Sequence, residues 1–209
     1  MSPVIAMVLS YLAGSVPFAY LAGRLLKGID LRTVGSGNLG ATNVYRTLGA
    51  WPAVAVLLLD ATKGALPALL LPRLVLTTPE YPDQYLALGV MYGTLAIIGH
   101  AKPIFLWGKG GGKGVATAAG VFAAIAPIPL AIVLVVFAAV VAITRFVSLG
   151  SMLAAIALPF AIAWRDGVRV VTFEVALLIA IFVCWTHRAN IGRLRRGEEP
   201  RIGRPGATA

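Results

Sequence analysis

Long apolar runs separated by short polar ones organise this chain. Residues 3–23, 51–72, 84–101, 114–127, 129–144, 148–164 and 169–186 each read as an apolar helix. A membrane crossing takes roughly 20 such residues. The fourth and fifth segments come from one run, Val115 to Ile143, which is too long for a single crossing. Pro127 and Pro129 interrupt it, and proline removes a backbone donor and breaks a helix. A tight turn between two short helices is therefore expected there. The predicted fold is all-α: an integral membrane protein of seven transmembrane helices in a single membrane-embedded domain, 1–209, with 197–209 as a loose tail. No internal repeat or low-complexity segment stands out.

Seven crossings sort the loops onto two sides. Loops 24–50, 102–113 and 145–147 and the tail from 187 fall on one side; loops 73–83 and 165–168 and the Pro127 turn fall on the other. The first side carries Arg24, Lys27, Arg32, Arg46, Lys102, Lys109, Lys113, Arg145 and the tail arginines as far as Arg204. The second carries only Arg73, Arg165 and Arg169. Basic loops stay in the cytoplasm, so the N-terminus is expected outside and the C-terminus inside. Basic residues follow the first apolar run rather than precede it. That is the reverse of a secretory signal, so this run is expected to remain as a span.

Composition agrees. The chain is 59% apolar and 12% charged, against about 25% charged in soluble domains, so lipid must be part of its solvent. A net charge of +10 would suggest nucleic acid in a soluble protein. Here the charge lies in short loops, where it orients the chain and attracts anionic head groups and substrates; nucleic acid is not an expected partner. Cys184 is alone in the last apolar run, which leaves no disulfide or zinc spacing and suggests a buried, inert thiol. Acidic residues are few and scattered and the two histidines lie in separate stretches, so neither a metal site nor a cofactor is expected.

Four polar stretches on the basic side can carry chemistry. Val34–Ala50, VGSGNLGATNVYRTLGA, combines glycines with Ser36, Gly37, Asn38 and Arg46. Glycine lets backbone N–H groups approach an anion, while arginine grips phosphate with two prongs. A polar re-entrant loop capping a helix is the plainer alternative. The second stretch, GKGGGKGVAT at Gly108–Thr117, is not a nucleotide-binding phosphate loop, which needs Gly-Lys-Ser or Gly-Lys-Thr after a strand. Its free amides, Lys109 and Lys113, and a helix starting at Val115 still suit an anion. Close helix packing is the competing reason for such glycines, though packing needs no lysines.

His100, just before this loop, reads first as a helix-end hydrogen-bonder. Thr144–Ser151 is a short turn whose Ser148 is expected to cap a helix. In Thr186–Arg204, His187 and Asn190 are three apart and share a helix face. His187 can act as a base or phosphate donor near neutral pH, and Glu198 or Glu199 can hold the basic tail by ion pairs. Asp60 and Lys63 lie mid-span one turn apart, where charges are costly, and are expected to bridge each other.

Taken together, GSGNLGATN with Arg46, GH..P.F with GGKGVAT, FVSL, and H..NI.RL with Gly197–Glu199 resemble the bacterial acyl-phosphate:glycerol-3-phosphate acyltransferase family, the PlsY type. One departure is visible: the interval from His100 to Lys113 is one residue longer than the family pattern. This bears on Lys109 and Gly110 more than on Lys113. The resemblance implies an inner-membrane enzyme of seven helices with a cytoplasm-facing site. It would move a fatty acyl group from acyl phosphate to glycerol 3-phosphate, giving 1-acyl-glycerol 3-phosphate and inorganic phosphate. It also implies that Ser36, Arg46, Lys113, Ser148, His187 and Asn190 line the substrate site, with Lys113, His187 and Asn190 catalytic. Gly110, Gly111, Gly112 and Gly114 would cradle a phosphate. A transporter for a phosphorylated solute would also use basic loops, but along a path through the bilayer. An assembly protein would not need glycines beside lysines.

Overall fold

The computed structural model describes residues 1–76, 78 and 83–203. Arg204 and the rest of the expected tail, 204–209, lie outside the described residues, as do 77 and 79–82 of the loop 73–83. Every regular element among the described residues is helical. In chain order these are α1 (Pro3–Ser15), α2 (Phe18–Lys27), α3 (Ala41–Leu48), α4 (Ala50–Val75), α5 (Asp83–Ala101), α6 (Val115–Ile125), α7 (Pro127–Thr144), α8 (Val147–Asp166), α9 (Val171–Thr186) and α10 (Arg188–Arg195), with a 3-10 turn at Ile104–Leu106. They form two compact units, one spanning Met1–Ile125 and a second beginning at Ala126.

Five stretches are long and apolar enough to cross a membrane: Pro3–Lys27, Ala50–Val75, Asp83–Leu106, Pro127–Thr144 and Val147–Asp166. A sixth is added if α9 and α10, which bend by 57° at their junction, count as one span. The remaining expected segment, 114–127, forms α6, of only 11 residues. At about 1.5 Å per residue it reaches roughly 16 Å, against a hydrocarbon core of about 30 Å. All seven apolar segments are thus helical, but length alone qualifies only five or six of them as spans.

The breaks have local causes. Pro17 sits between α1 and α2, and the Val16 carbonyl beside it accepts a hydrogen bond from Lys63 Nζ at 2.8 Å. Pro127 begins α7, a position where its missing N–H costs nothing. Two short helices were not foreseen: α3 inside the polar stretch 34–50, and α10 in the tail. Ser148 does not cap α8 as expected; Phe146 holds that position without a side-chain bond, and Ser148 is the second helical residue. Cys184 is half-buried rather than fully buried.

In the first unit α4 packs against α1, α5 and α6, and α1 against α5. Small residues let these backbones approach closely, as is common in lipid. A Cβ at Gly64 would strike the Thr117 carbonyl, one at Gly120 the Ala61 carbonyl, and one at Gly93 the Val121 side chain. This contact explains how so short a helix as α6 is held: it buries Thr117, Ala118, Gly120, Val121 and Phe122. In the second unit α8 packs between α7 and α9, with Gly150 against Phe137 and Val141. The outer residues of α7, among them Leu134, Val135 and Ile143, are exposed and apolar, as a lipid-facing helix requires.

Candidate active site

In the first unit two glycine-bearing loops are tied together. Asn43, buried in the first turn of α3, organises the first. Its Oδ1 accepts the Ser36 N–H at 2.9 Å, and its Nδ2 donates to the Leu31 and Val34 carbonyls, both at 3.1 Å. Ser36 and Arg46 are exposed. Asn38 Nδ2 donates to the Gly111 carbonyl at 3.3 Å, joining the first loop to the second.

The second loop runs from the end of α5 to the start of α6. Gly114 turns the chain into α6 with φ +81°, and its carbonyl accepts the Ala118 N–H at 2.8 Å. The N–H groups of the first helical turn have no partner within their helix, and they carry partial positive charge. Lys113 immediately precedes them. A Cβ at Gly111 would strike the Ala101 carbonyl, and one at Gly112 the His100 ring. Two of these glycines are therefore demanded by close packing, so both sequence readings of the loop, cradle and packing, have a physical basis.

At the loop's edge Arg32 packs over Gly110. It holds Asp30 through Nη2 at 2.6 Å and Nε at 3.0 Å. These hydrogen bonds from Arg32 bring the Asp30 carboxyl down from 3.8 to about 2, against the opposing effect of burial. Arg24 Nη2 stands 3.5 Å from the same carboxylate, and both guanidinium groups lie over the Tyr20 ring. Deeper in the unit, Asp60 and Lys63 form the expected bridge at 2.7 Å, and His100 Nδ1 lies 3.6 Å from Asp60 Oδ1.

In the second unit a buried carboxylate gathers the polar residues. Glu199 accepts hydrogen bonds from Ser148 Oγ at 2.7 Å, Asn190 Nδ2 at 2.6 Å and Arg193 Nε at 2.7 Å. Burial alone would raise the Glu199 carboxyl, but these three donors outweigh it and hold it below the ordinary value. His187, also buried, lies at the bend between α9 and α10. Its Nδ1 sits 2.8 Å from the Val183 carbonyl. A carbonyl only accepts, so Nδ1 carries the hydrogen, and Nε2 is the basic nitrogen of the neutral ring. Both glutamates pair with arginines as expected, Glu198 with Arg196 and Glu199 with Arg193. Part of the expected loose tail is fastened: Ile202 N–H donates to the Arg145 carbonyl at 2.9 Å, and Arg201 lies over the Phe146 ring.

The predicted site residues thus fall in two sets. Ser36, Gly37, Asn38, Arg46, Gly110, Gly111, Gly112, Lys113 and Gly114 belong to the first unit, and Ser148, His187 and Asn190 to the second. Sequence reasoning missed the organising role of Asn43, and it saw Glu199 as an anchor for arginines and part of a motif but not as the acceptor for Ser148 and Asn190. Among the described residues, no three histidine, cysteine, aspartate or glutamate side chains gather as metal ligands.

Five helices long and apolar enough to cross a membrane define a multi-pass integral membrane protein. The sequence model of the family described as glycerol-3-phosphate acyltransferase matches residues 4–197. A glycerol-3-phosphate acyltransferase of Synechococcus sp. (strain CC9902) is 45% identical over 207 residues, covering 99% of this chain and 98% of that protein. Another, from Geobacter sulfurreducens, is 42% identical over 202 residues, covering 97% and 98%. The crystal structure of PlsY, an integral membrane glycerol 3-phosphate acyltransferase, in its glycerol 3-phosphate form superposes with a TM-score of 0.86 at 35% identity, covering 97% of this chain and 96% of that one. Its lysophosphatidic acid form gives 0.84 at 34%, with the same coverage. The chain belongs to the glycerol-3-phosphate acyltransferase family, as an integral membrane member of the PlsY type.

Proposed function

We propose that the protein transfers a fatty acyl group from acyl phosphate to glycerol 3-phosphate, yielding 1-acyl-glycerol 3-phosphate and inorganic phosphate, the first acylation of phospholipid synthesis. The observation that carries this is the glycine loop: amides at the start of α6, Lys113 beside them, and the Asn38–Gly111 bond linking in the Ser36 loop. Such a loop suits a phosphate, and both substrates carry one. Ser36, Gly37, Asn38, Arg46, Gly110, Gly111, Gly112, Gly114 and Ser148 are assigned to substrate binding, and Lys113, His187 and Asn190 to catalysis.

In the reaction the acceptor hydroxyl oxygen attacks the acyl carbonyl carbon. A new ester C–O bond forms, the acyl carbon–oxygen bond to phosphate breaks, and inorganic phosphate leaves with the electron pair. Acyl phosphate is already activated, so the protein's task is alignment and charge stabilisation. Lys113 and the loop amides stabilise the developing charge. The hydroxyl proton passes to His187 or to a substrate phosphate oxygen.

We further place the protein in the bacterial inner membrane with seven crossings, α6 included, N-terminus outside and C-terminus cytoplasmic. Residues 1–209 are then a single membrane-embedded acyltransferase domain with a site facing the cytoplasm. The distribution of basic residues supports this sidedness. The test is phosphate release by detergent-purified protein from acyl phosphate. Release that depends on glycerol 3-phosphate is expected. No release with both substrates present, together with uptake of a phosphorylated solute into liposomes, would favour a transporter.

A further inference from the structure

Three buried ionisable side chains of the first unit, Asp60, Lys63 and His100, take no part in this mechanism. Asp60 is 2% exposed, Lys63 6% and His100 7%. Charges at such depth are costly in a membrane protein, and a well-packed apolar set could replace a merely structural ion pair. We propose that Asp60, Lys63 and His100 form a buttress that fixes the shape of the glycine-rich loop, making His100 a positioning residue for the phosphate bound there. The proposal rests on the reading of that loop as a phosphate cradle.

His100 grips Gly112 twice. Its carbonyl accepts the Gly112 N–H at 3.2 Å, and its ring Nε2 occupies the space a Cβ on Gly112 would need. The ring is oriented from its other side. Nδ1 lies 3.6 Å from Asp60 Oδ1, too far for a hydrogen bond but close in a medium of low dielectric. In a neutral ring the carboxylate favours the tautomer with hydrogen on Nδ1, the nitrogen that faces it.

Lys63 holds the carboxylate. Its Nζ is 2.7 Å from Asp60 Oδ1, donates to the Val16 carbonyl at 2.8 Å, and lies 5.4 Å from the centre of the Phe18 ring. With its ammonium committed to these three groups, Lys63 serves as a strut rather than as a ligand for substrate. Asp60 and Lys63 stand on α4 and His100 on α5, so the cluster references the loop to two packed helices. Phe18, Gly111 and Gly112 line one pocket with all three residues. A loop held in this way presents its amides preorganised, which lowers the cost of binding.

The test compares the full-length protein with His100→Ala, Asp60→Asn, Gly112→Ala and the double variant Gly112→Ala/His100→Ala. Amide hydrogen exchange across 108–114 is measured beside steady-state kinetics. His100→Ala and Asp60→Asn are expected to speed exchange in 108–114 about tenfold while α4 and α5 stay protected. They should lower kcat/KM for glycerol 3-phosphate about tenfold, because the loop amides both hold a phosphate and stabilise the developing charge. Gly112→Ala alone should impair turnover, and adding His100→Ala should restore part of it, since the Leu39 carbonyl also stands 3.0 Å from such a Cβ.

Unchanged exchange, accelerated exchange throughout α4 and α5, or an unchanged kcat/KM for glycerol 3-phosphate would each overturn the proposal. If His100→Ala does not fold, the isosteric Asp60→Asn carries the same comparison. If the wild-type protein shows no turnover dependent on glycerol 3-phosphate, the proposed function fails. The exchange measurement still decides the buttress.

Discussion

Ser148 Oγ donates to Glu199 Oε1 at 2.7 Å across 51 residues of sequence. The same oxygen accepts from Asn190, and Arg193 takes the other. Three side chains from α8 and α10 are thus set by one carboxylate at the start of the tail. Glu199→Ala should leave Ser148 and Asn190 short of an acceptor in buried positions. The expected cost is about 3 kcal/mol, with little of it from Arg193, whose side chain is 30% exposed. Unfolding in detergent micelles measures it, and an unchanged midpoint would contradict the arrangement.

Glu199 and Asp30 set an acid limit. The folded Glu199 carboxyl lies below its ordinary value of 4.5, so its stabilisation is fully present above that pH. It is lost as pH falls through the lowered folded value. The stability advantage of wild type over Glu199→Gln should therefore hold at neutral pH and shrink progressively below 4.5. For Asp30, brought from 3.8 to about 2, the corresponding advantage over Asp30→Asn should fade between those values. Denaturation series at graded pH test both, and an advantage that persists through the acid range would refute the linkage.

Apolar runs locate the membrane helices well, because lipid imposes one requirement on every residue of a span. The Pro127 boundary was legible for the same reason: a missing donor acts locally. The count of crossings was less so, since α6 owes its place to backbone contacts of Gly64 and Gly120 that arise only after folding. The chemistry-bearing residues could be listed from motifs, but not their partners. Asn43 looks like its polar neighbours in sequence, and only the fold shows it bonded to three backbone groups. Ser148 reads as a helix cap because the residue it serves, Glu199, lies far along the chain.

The α4–α6 contact predicts a sharp contrast between two glycines. Gly120→Val places its Cβ into the Ala61 carbonyl, and backbone cannot step aside as a side-chain end can. The loss should reach about 3 kcal/mol or more, seen as a lowered unfolding midpoint. Gly108→Ala meets nothing within 4 Å and suffers only from its φ of +69°, a cost of about 1–2 kcal/mol. Equal effects at the two positions would remove close packing as the reason for Gly120.

Lys113 and the absence of a covalent intermediate can be tested together. If Lys113 stabilises charge that develops during transfer, Lys113→Ala should lower kcat by about 100-fold or more while the protein still inserts and folds. Near-normal turnover would rule that role out. A covalent route through serine needs a competent base beside the hydroxyl. Ser148 is a poor candidate, because its hydroxyl hydrogen points at Glu199, whose lowered carboxyl makes it a weak base. Ser36 is exposed, and its N–H is engaged by Asn43. Ser15 lines the same pocket as His100 and Asp60, but its hydroxyl donates to the Tyr11 carbonyl at 2.8 Å rather than to the ring. Intact-protein mass measurement after rapid quench with acyl phosphate should therefore find only the unmodified chain. An acyl adduct on Ser36 or Ser148 that forms and decays at the rate of turnover would replace direct attack with a two-step transfer.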